Sequence, residues 1–391
     1  RSDQLTWNLV LRAHVAAKEI EKLPVLLKVI KVKHGMDLSV LLYTTVLAGL
    51  NGDLLGTQMV YKALIADGHI PDLVVARTLM HSFMTCRSWP NVLLLLRDMP
   101  KHMGISPPTE FFKEAAIGAA ERGQTRWVLA ILETLLATGR PAHIIVLNSV
   151  LKAMRVAGEP KEALVKFLGT MRSKYGAQAD QHSLSSVLQA HVDKGCVEEA
   201  HMLLNKADRA FGIAPNTTNI NIVLYGYASQ RNLVAVRRLI ADMASHFVVR
   251  PDVHSMDALL RALANTGDLE GMLETLDCMQ EAHGIVPGDV CTSTAIWALA
   301  RGRRVEEAHA LMRRSVDCGV RPHPSAVARL VRSLVIEQRM AHVQAGEQLP
   351  ADQQTLPSLV RALAAEAGVS ASEVGRAYNT ILDGERAGDD R

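Results

Sequence analysis

The sequence predicts an all-α fold, a right-handed α-solenoid of about nine to ten helix-turn-helix repeats, each of roughly 36 residues, with a helical C-terminal cap. Two observations predict it. A short phrase, in which a small and an apolar residue precede Pro-Asp or a substitute, returns at a nearly constant interval. Between its occurrences, apolar residues twice follow the three- and four-residue spacing of an amphipathic helix. A single helical hairpin cannot bury both apolar faces, whereas stacked neighbours can.

The recurring phrase divides residues 4–323 into nine consecutive repeats. It reads "GHIPD" at 68–72, "GIAPN" at 212–216, "VVRPD" at 248–252 and "GIVPG" at 284–288. A period of 33 to 37 residues that persists over 320 residues indicates a repeat array rather than chance. In chain order the repeats are 4–39, 40–72, 73–108, 109–143, 144–180, 181–216, 217–252, 253–288 and 289–323.

The eighth repeat shows the two helices most clearly. Its first half places Met256, Leu260 and Leu263 on one helical face. Gly267 and Asp268 then combine a helix stop with a new N-terminal signal. The second half repeats the apolar spacing up to a glycine. These stripes of Leu, Met and Ala are expected to form the core.

The periodicity weakens after residue 323. Residues 324–383 predict a partial repeat and a C-terminal helical cap, and residues 384–391 form a polar tail. The sequence begins at Arg1 rather than at a methionine, so we expect any targeting peptide to lie outside it. Without a run of about 18 apolar residues, no transmembrane helix and no membrane partner are expected.

Composition restricts the class of partner. The net charge of +3 is far from the strong basic excess of a general nucleic-acid clamp. The five cysteines form no C-x-x-C pair, which argues against a zinc site or a disulfide framework and favours buried free thiols in a reducing compartment.

Four stretches carry the motifs of a known family. They are "SDQLTWNLVL" at 2–11, "GEPKEALVKFLGTM" at 158–171, "GCVEEAHMLL" at 195–204 and "GVRPH" at 319–323. In these motifs the chain resembles the pentatricopeptide repeat (PPR) family, and the resemblance covers residues 4–323, about four-fifths of the sequence. The Trp, Leu-Gly and Tyr pattern of the roughly 34-residue tetratricopeptide repeat is absent.

The resemblance implies binding of single-stranded RNA, one base per repeat, without an added catalytic domain. It further implies that the fifth and the last residue of each repeat form a base-reading pair, in which an Asn, Ser or Thr bonds the base and an Asp orients that side chain. The nine pairs are Asn8 with Ser39, Thr44 with Asp72, Arg77 with Pro108, Lys113 with His143, Asn148 with Asp180, Ser185 with Asn216, Asn221 with Asp252, Asp257 with Gly288, and Ser293 with His323.

Five of these pairs follow the family pattern. The resemblance assigns G to the second repeat, U to the fifth and seventh, and A to the sixth, and leaves the first ambiguous. The implied RNA-binding residues are Asn8, Ser39, Thr44, Asp72, Asn148, Asp180, Ser185, Asn216, Asn221 and Asp252. The remaining four pairs cannot be decoded. The Asp residues also have a second interpretation, because Pro-Asp before a helix is a good N-terminal cap.

A second departure concerns the phosphates. Tightly binding members of the family often place Lys at the thirteenth position of each repeat, whereas only Arg301 is basic there in this chain. We therefore expect weak intrinsic affinity. Two basic clusters could contact phosphate instead, or could be solvated faces balanced by acidic residues. The candidate phosphate contacts are Arg237, Arg238, Arg250, Arg301, Arg303, Arg304, Arg313 and Arg314.

Motifs for catalysis are missing. The sequence lacks the His-x-Glu and P-C-x-x-C motifs of a zinc deaminase, a separate acidic nuclease domain, and the glycine-rich nucleotide loops. We expect no enzymatic activity, no metal, no cofactor and no small-molecule substrate.

Two functions remain open. One is a scaffold subunit of an organellar ribosome or other ribonucleoprotein, which cradles an RNA or rRNA segment and neighbouring proteins. The other is a dissociable, sequence-selective factor in organellar RNA maturation, stability or translation. The broken code and the missing lysines favour the scaffold, and the intact run of the fifth to seventh repeats (U-A-U) favours the factor. The resemblance implies a mitochondrion or, alternatively, a chloroplast.

Overall fold

A computed structural model describes residues 4–19, 21–345 and 352–389 of the chain. Its packing divides into two compact bodies, an N-terminal body (1–190) and a C-terminal body (191–391). Each body is described on its own. The described residues of both are helical and contain no β-strand.

The N-terminal body consists of five helical hairpins followed by one further helix, whose last residues pass the division. The helices are α1 (Gln4–Ala16), α2 (Lys22–His34), α3 (Val40–Gly49), α4 (Leu54–Ala66), α5 (Leu73–Thr85), α6 (Trp89–Asp98), α7 (Thr109–Ala120), α8 (Thr125–Ala137), α9 (Ile144–Val156), α10 (Lys161–Tyr175) and α11 (Gln181–Asp193). A single π-helical turn (Met99–Met103) extends α6.

The C-terminal body begins with the end of α11 and continues in the same way. Its helices are α12 (Val197–Phe211), α13 (Thr217–Ser229), α14 (Leu233–Ser245), α15 (Val253–Thr266), α16 (Leu269–His283), α17 (Asp289–Arg301), α18 (Val305–Asp317), α19 (Pro324–Ala345), α20 (Asp352–Glu366) and α21 (Ala371–Asp389).

Within each body the hairpins stack as in an α-solenoid. First helices pack on their own second helices and on one another, so that α1, α3, α5, α7 and α9 form one row in the N-terminal body and α13, α15, α17 and α19 form one row in the C-terminal body. Leu260, Leu263, Leu276 and Met279 of the eighth repeat are fully or almost fully buried, as their helical spacing predicts. The stacking of neighbours therefore creates the core that a single hairpin cannot provide.

The final helix α21 takes the place of a further first helix. It packs on α19 and on α20, and its Val374 and Tyr378 join the core of the C-terminal body. It extends to Asp389, so most of the segment delimited as a polar tail continues this helix.

Local chemistry accounts for the helix ends. The recurring glycine of the phrase closes second helices in the left-handed conformation, with φ of 67° at both Gly212 and Gly284, because glycine adopts positive φ without steric cost. The seventh repeat instead places Val248 at this turn, with φ of 57°. A β-branched residue is strained in that region.

All five cysteines are free thiols. The expectation that they are buried is wrong for Cys278 and Cys318, which are exposed at the periphery, and holds fully only for Cys291. Throughout the described ranges, no helix combines the length and the apolar character needed to cross a bilayer.

Candidate nucleic-acid interface

The two members of each predicted reading pair belong to neighbouring first helices. The last residue of a repeat directly precedes the first helix of the next repeat, whereas the fifth residue lies one turn inside its own first helix. Because first helices pack side by side, both residues face the seam between them. The structure shows what each pair does there.

The fifth repeat forms a closed triad of side chains. Asn148 Nδ2 donates to Asp180 Oδ1 over 3.1 Å, and Ser183 Oγ donates to Asn148 Oδ1 over 2.5 Å. The backbone N–H of Ser183 completes the triad by donating to Asp180 Oδ1 over 2.8 Å. Ser183 is fully buried and Asn148 is half-buried, so the serine holds the amide from the inner side of the seam.

The seventh repeat forms the same triad with different residues. Asn221 Nδ2 donates to Asp252 Oδ1 over 3.0 Å, Ser255 Oγ donates to Asn221 Oδ1 over 2.7 Å, and the Ser255 N–H donates to Asp252 Oδ1 over 2.9 Å. Asn221 is only 6% exposed. An asparagine side chain has two donor and two acceptor positions. In this triad one donor and one acceptor position are engaged.

The two carboxylates are stabilised in the charged form. Burial disfavours ionisation of Asp180, but the N–H of Ser183 and the side chains of Asn148 and Ser183 outweigh it and lower the pKa of the carboxyl. The same balance, with Ser255 and Asn221 as donors, lowers the pKa of Asp252. Each Asp therefore caps the following helix and also accepts a hydrogen bond from its Asn, so one carboxylate holds both groups.

The first and second repeats have other hydrogen bonds. Asn8 is buried and its Oδ1 accepts from Thr45 Oγ1 over 2.8 Å. Thr44 Oγ1 donates to the backbone oxygen of Val40 in its own helix. Asp72 caps α5 by accepting from the Val75 N–H over 2.8 Å. Ser39 precedes α3 as its N-terminal cap residue without a capping side-chain bond.

The predicted pair of the sixth repeat is split by the division between the two bodies. Ser185 lies half-buried in α11 of the N-terminal body. Asn216 of the C-terminal body caps α13 through a reciprocal pair of bonds with Asn219. Asn216 thus does for its helix what Asp252 does for α15.

The eighth repeat uses its fifth residue as an internal anchor. Asp257 is fully buried and accepts from Tyr225 Oη at 2.8 Å, Arg261 Nε at 2.8 Å and Thr294 Oγ1 at 2.5 Å. Its partner position, Gly288, has no side chain. Three donors surround the carboxylate, so it holds the row of first helices together and offers nothing to a base.

The ninth repeat is occupied in a similar way. Ser293 Oγ donates to the backbone oxygen of Asp289 over 2.5 Å and accepts from the His323 N–H over 2.8 Å. Its hydroxyl is thus engaged with backbone on both sides.

The third and fourth repeats place charged side chains at the fifth position. The Arg77 guanidinium lies 5.7 Å from the centroid of the Phe111 ring, and Lys113 forms an ion pair of 2.6 Å with Glu110. His143 caps α9. No reading pair forms in this part of the described chain.

Several predicted phosphate contacts are already paired with carboxylates. Arg304 lies 2.8 Å from Glu270 and 2.5 Å from Glu307, and Arg314 lies 2.7 Å from Asp277. Arg313 pairs with Glu366. These contacts support the solvated-face interpretation for the cluster on and before α18.

The other candidates differ from one another. Arg238 is 82% exposed and lies 4.0 Å from Asp242, a weak pair, while Arg237, Arg250 and Arg303 are also exposed. Arg301 lies 5.3 Å from the centroid of the Trp297 ring, on the first helix α17.

Two sets of residues escaped the sequence analysis. Ser183 and Ser255 were missed, although the same pattern, Asp-x-His-Ser, marks both triads, as "DQHS" at 180–183 and "DVHS" at 252–255. Tyr225, Arg261 and Trp297 were also missed, although they are spaced by 36 residues each. Both signals were accessible by comparing the repeats position by position.

Among the described residues, no group of three or more His, Cys, Asp or Glu side chains is arranged to hold a metal ion.

Comparisons with known proteins agree on one kind of repeat. The family profile described as "PPR repeat" matches residues 254–283, the eighth repeat. Two chloroplastic pentatricopeptide repeat-containing proteins of Arabidopsis thaliana are similar in sequence. One is 20% identical over 193 residues, which is 49% of this chain and 38% of the relative. The other is 26% identical over 121 residues, which is 31% of this chain and 15% of the relative.

The alignments thus span less than two-fifths of the length of either curated relative. Among solved structures, the crystal structure of the pentatricopeptide repeat protein PPR10 in complex with an 18-nt psaJ RNA element is 15% identical. That comparison has a TM-score of 0.44 and covers 96% of this chain and 61% of the other.

Proposed function

The chain belongs to the pentatricopeptide repeat family, and we propose that it is a non-enzymatic protein that binds a single-stranded RNA segment along its first helices. We further propose that it does so as a component of an organellar ribonucleoprotein, such as a ribosome, in which neighbouring proteins share the contacts.

The pair of matching triads carries the RNA-binding proposal. Two repeats in different bodies place the same three residue types in the same geometry, at the positions where the family reads a base. The Asp and Ser fix the amide rotamer, and an oriented amide can recognise the polar edge of a base. A helix cap alone does not require the Asn, because Asp72 caps α5 with Thr44 at the fifth position.

Charge supports the view that other contacts assist the binding. The thirteenth positions are almost devoid of basic residues, and Arg304, Arg313 and Arg314 are engaged by carboxylates. Phosphate contacts provide a large share of nucleic-acid affinity. An isolated chain with few of them binds weakly and gains from an assembly that holds the RNA in place.

Exposed apolar side chains support the proposal that other proteins bind to this chain. Among the described residues, more than half of the exposed large apolar side chains lie between Leu5 and Val74. Leu55 is 73% exposed and Met59 64% exposed, one turn apart on α4. Exposed apolar surface of this kind typically marks a protein interface.

Family membership favours an organelle as the location. Both curated relatives are named as chloroplastic, which supports the chloroplast over the mitochondrion that the sequence analysis put first.

Sedimentation of the native protein from an organelle extract tests the proposal. We expect it to travel with a large particle, to resist moderate salt, and to crosslink to RNA under ultraviolet light. Crosslinking without a large particle would contradict the scaffold role. Absence of any RNA crosslink would contradict RNA binding itself.

The second candidate function is a dissociable, sequence-selective RNA factor. The two intact Asn–Asp pairs favour it, because a permanent scaffold needs no base selectivity. Release of the protein from heavy fractions by RNase, together with selective binding of a U-A-U oligonucleotide, would establish it in place of the scaffold.

A further inference from the structure

One feature that the reading pairs leave unexplained is a pocket at the eighth and ninth repeats. It has a volume of about 530 Å³, within the range of roughly 300–1,000 Å³ typical of ligand sites. We call it the Trp297 pocket. Its walls include Arg261 and Asn265 of α15, Ser293 and Trp297 of α17, and His323 before α19.

The pocket lies at repeats whose fifth and last residues do not form a reading pair. Asp257 and Ser293 occupy the fifth positions of these repeats, and both are consumed by internal hydrogen bonds. Gly288 has no side chain to fill the space. The seam between α15 and α17 therefore offers room, but no pair that could specify a base.

The Trp297 ring lines this space, and two arginines outside the pocket wall lie near that ring. The Arg301 guanidinium lies 5.3 Å and that of Arg329 lies 5.9 Å from the centroid of the Trp297 ring. These distances exceed the roughly 3.5–4 Å of close stacking, so the guanidiniums attract the ring electrostatically without stacking directly on its face. Trp297 is half-buried, so part of its surface is accessible.

The third arginine is held in a fixed place. Arg261 Nε is bonded to the buried Asp257, and its guanidinium lies 5.4 Å from the centroid of the Tyr225 ring. The Arg261 side chain is 52% exposed and forms part of the pocket wall. Aromatic faces flanked by guanidiniums bind nucleotides by stacking on the base and attracting the phosphate.

We propose that the Trp297 pocket binds one nucleotide of the RNA next to the one at Asn221 and Asp252, by stacking its base on Trp297 whatever the base is. The proposal rests on the RNA-binding function proposed above. It adds a sequence-tolerant site where the reading pairs end, within the same C-terminal body.

Abasic oligonucleotides isolate the stacking contribution. The probes are U-A-U oligonucleotides extended by two adenosines on the 3′ or on the 5′ side, each compared with a version in which both extra nucleotides are abasic. Fluorescence anisotropy measures their affinity for the full chain. For one of the two sides we expect the abasic version to bind about tenfold more weakly, as stacked bases in other single-strand sites do.

Variants assign the effect to the ring. In Trp297→Leu the abasic penalty should disappear, and in Trp297→Phe it should persist in reduced form. Trp127→Leu is the matched control, because Trp127 also lies half-buried under an arginine, Arg126, but on the second helix α8 outside any reading seam. That variant should keep the full penalty. Circular dichroism confirms that each variant is folded.

The outcomes separate the two proposals. Selective binding of U-A-U without an abasic penalty on either side, or a penalty that survives in Trp297→Leu, overturns the pocket and leaves the RNA-binding function intact. Failure of every oligonucleotide to bind overturns the RNA-binding function. Adenosine monophosphate at micromolar concentration should not displace the RNA, and displacement would assign the pocket to free nucleotides instead.

Discussion

The seventh and eighth repeats differ at one position in a way that decides their chemistry. Asn221 and Asp257 occupy equivalent places one repeat apart, 36 residues along the chain. The amide uses one donor and one acceptor position and keeps the others, whereas the carboxylate attracts three donors and is fully buried. The same position thus holds an oriented amide in one repeat and a structural anchor in the next.

Loss of the anchor should have the largest effect on stability. Asp257→Ala leaves Tyr225 and Thr294 without their acceptor inside the row of first helices. We expect the free energy of unfolding to fall by about 3 kcal/mol. The half-exposed Arg261 adds little, because solvent screens its charge.

Urea denaturation at neutral pH measures this loss. Asp257→Asn keeps an acceptor and the side-chain size, and should cost clearly less. Equal stability of Asp257→Ala and the unchanged chain would show that the anchor is dispensable.

Loss of a triad carboxylate should have a smaller effect on stability. Asp252→Ala removes a helix cap and the bond to Asn221, and should cost about 1–2 kcal/mol. Asp252→Asn should restore the cap, since Asn216 caps α13 in the same way. Thermal unfolding of the two variants checks this, and an undiminished midpoint for Asp252→Ala would contradict it.

The same carboxylates predict a dependence on pH. The pKa of Asp180 and that of Asp252 are lowered in the folded chain, so their contribution is complete above the unfolded value of about 4. It decreases as the pH falls below about 4 through the folded values. A chain that carries both Asp180→Asn and Asp252→Asn should lose less stability between pH 5 and pH 3 than the unchanged chain. The difference should correspond to the stability that the two carboxylates contribute through their lowered pKa values. An equal loss of stability with falling pH in the double variant and in the unchanged chain would contradict the role of these two carboxylates.

A rebuilt pair should convert the eighth repeat into a reader. The combined changes Asp257→Asn, Gly288→Asp and Cys291→Ser reproduce the triad of the seventh repeat. Gly288 already has the extended backbone of Asp252, and a Cβ there would meet no atom closer than 4.0 Å. We expect preference for U at one additional position by about fivefold, the value of a net hydrogen bond.

Binding of two U-A-U oligonucleotides that carry U or A at the added position measures this gain. Gly288→Asp alone is the control, because it supplies the cap without the amide. An unchanged ratio in the triple variant would show that the triad does not suffice to read a base.

The smallest effect concerns the turn that closes the seventh repeat. Val248→Gly should stabilise the chain by about 0.5–1 kcal/mol, because it removes a left-handed valine that is 85% exposed and loses little packing. Gly284→Val in the eighth repeat is the reverse experiment and should destabilise. If chemical denaturation gives Gly284→Val a higher free energy of unfolding than Val248→Gly, the proposed strain at Val248 is wrong.

The array itself was predictable from local patterns. Helix spacing, glycine stops and Pro-Asp caps are short-range signals, and the first helices begin at Gln4, Val40, Leu73 and onwards, at the residues that open the delimited repeats. The packing of first helix on first helix follows, because two apolar faces per hairpin need neighbours.

The hydrogen-bond choices of the site were not predictable in the same way. Asp257 finds its partners 32 residues before it and 37 residues after it, in Tyr225 and Thr294. The pairing of Arg304, Arg313 and Arg314 with carboxylates likewise depends on how second helices meet. Such partners become visible only once the hairpins are stacked.

Base selectivity at the two triads tests the central claim most directly. The measurement is the affinity of the full chain for a U-A-U oligonucleotide and for G-A-G, with Asn148→Ala, Asn221→Ala and the double variant beside it. We predict about tenfold preference for U-A-U, reduced by each single change and abolished in the double variant, at the level of one to two net hydrogen bonds. Equal affinity for both oligonucleotides, or a preference that survives in the double variant, would contradict the claim that these triads read RNA.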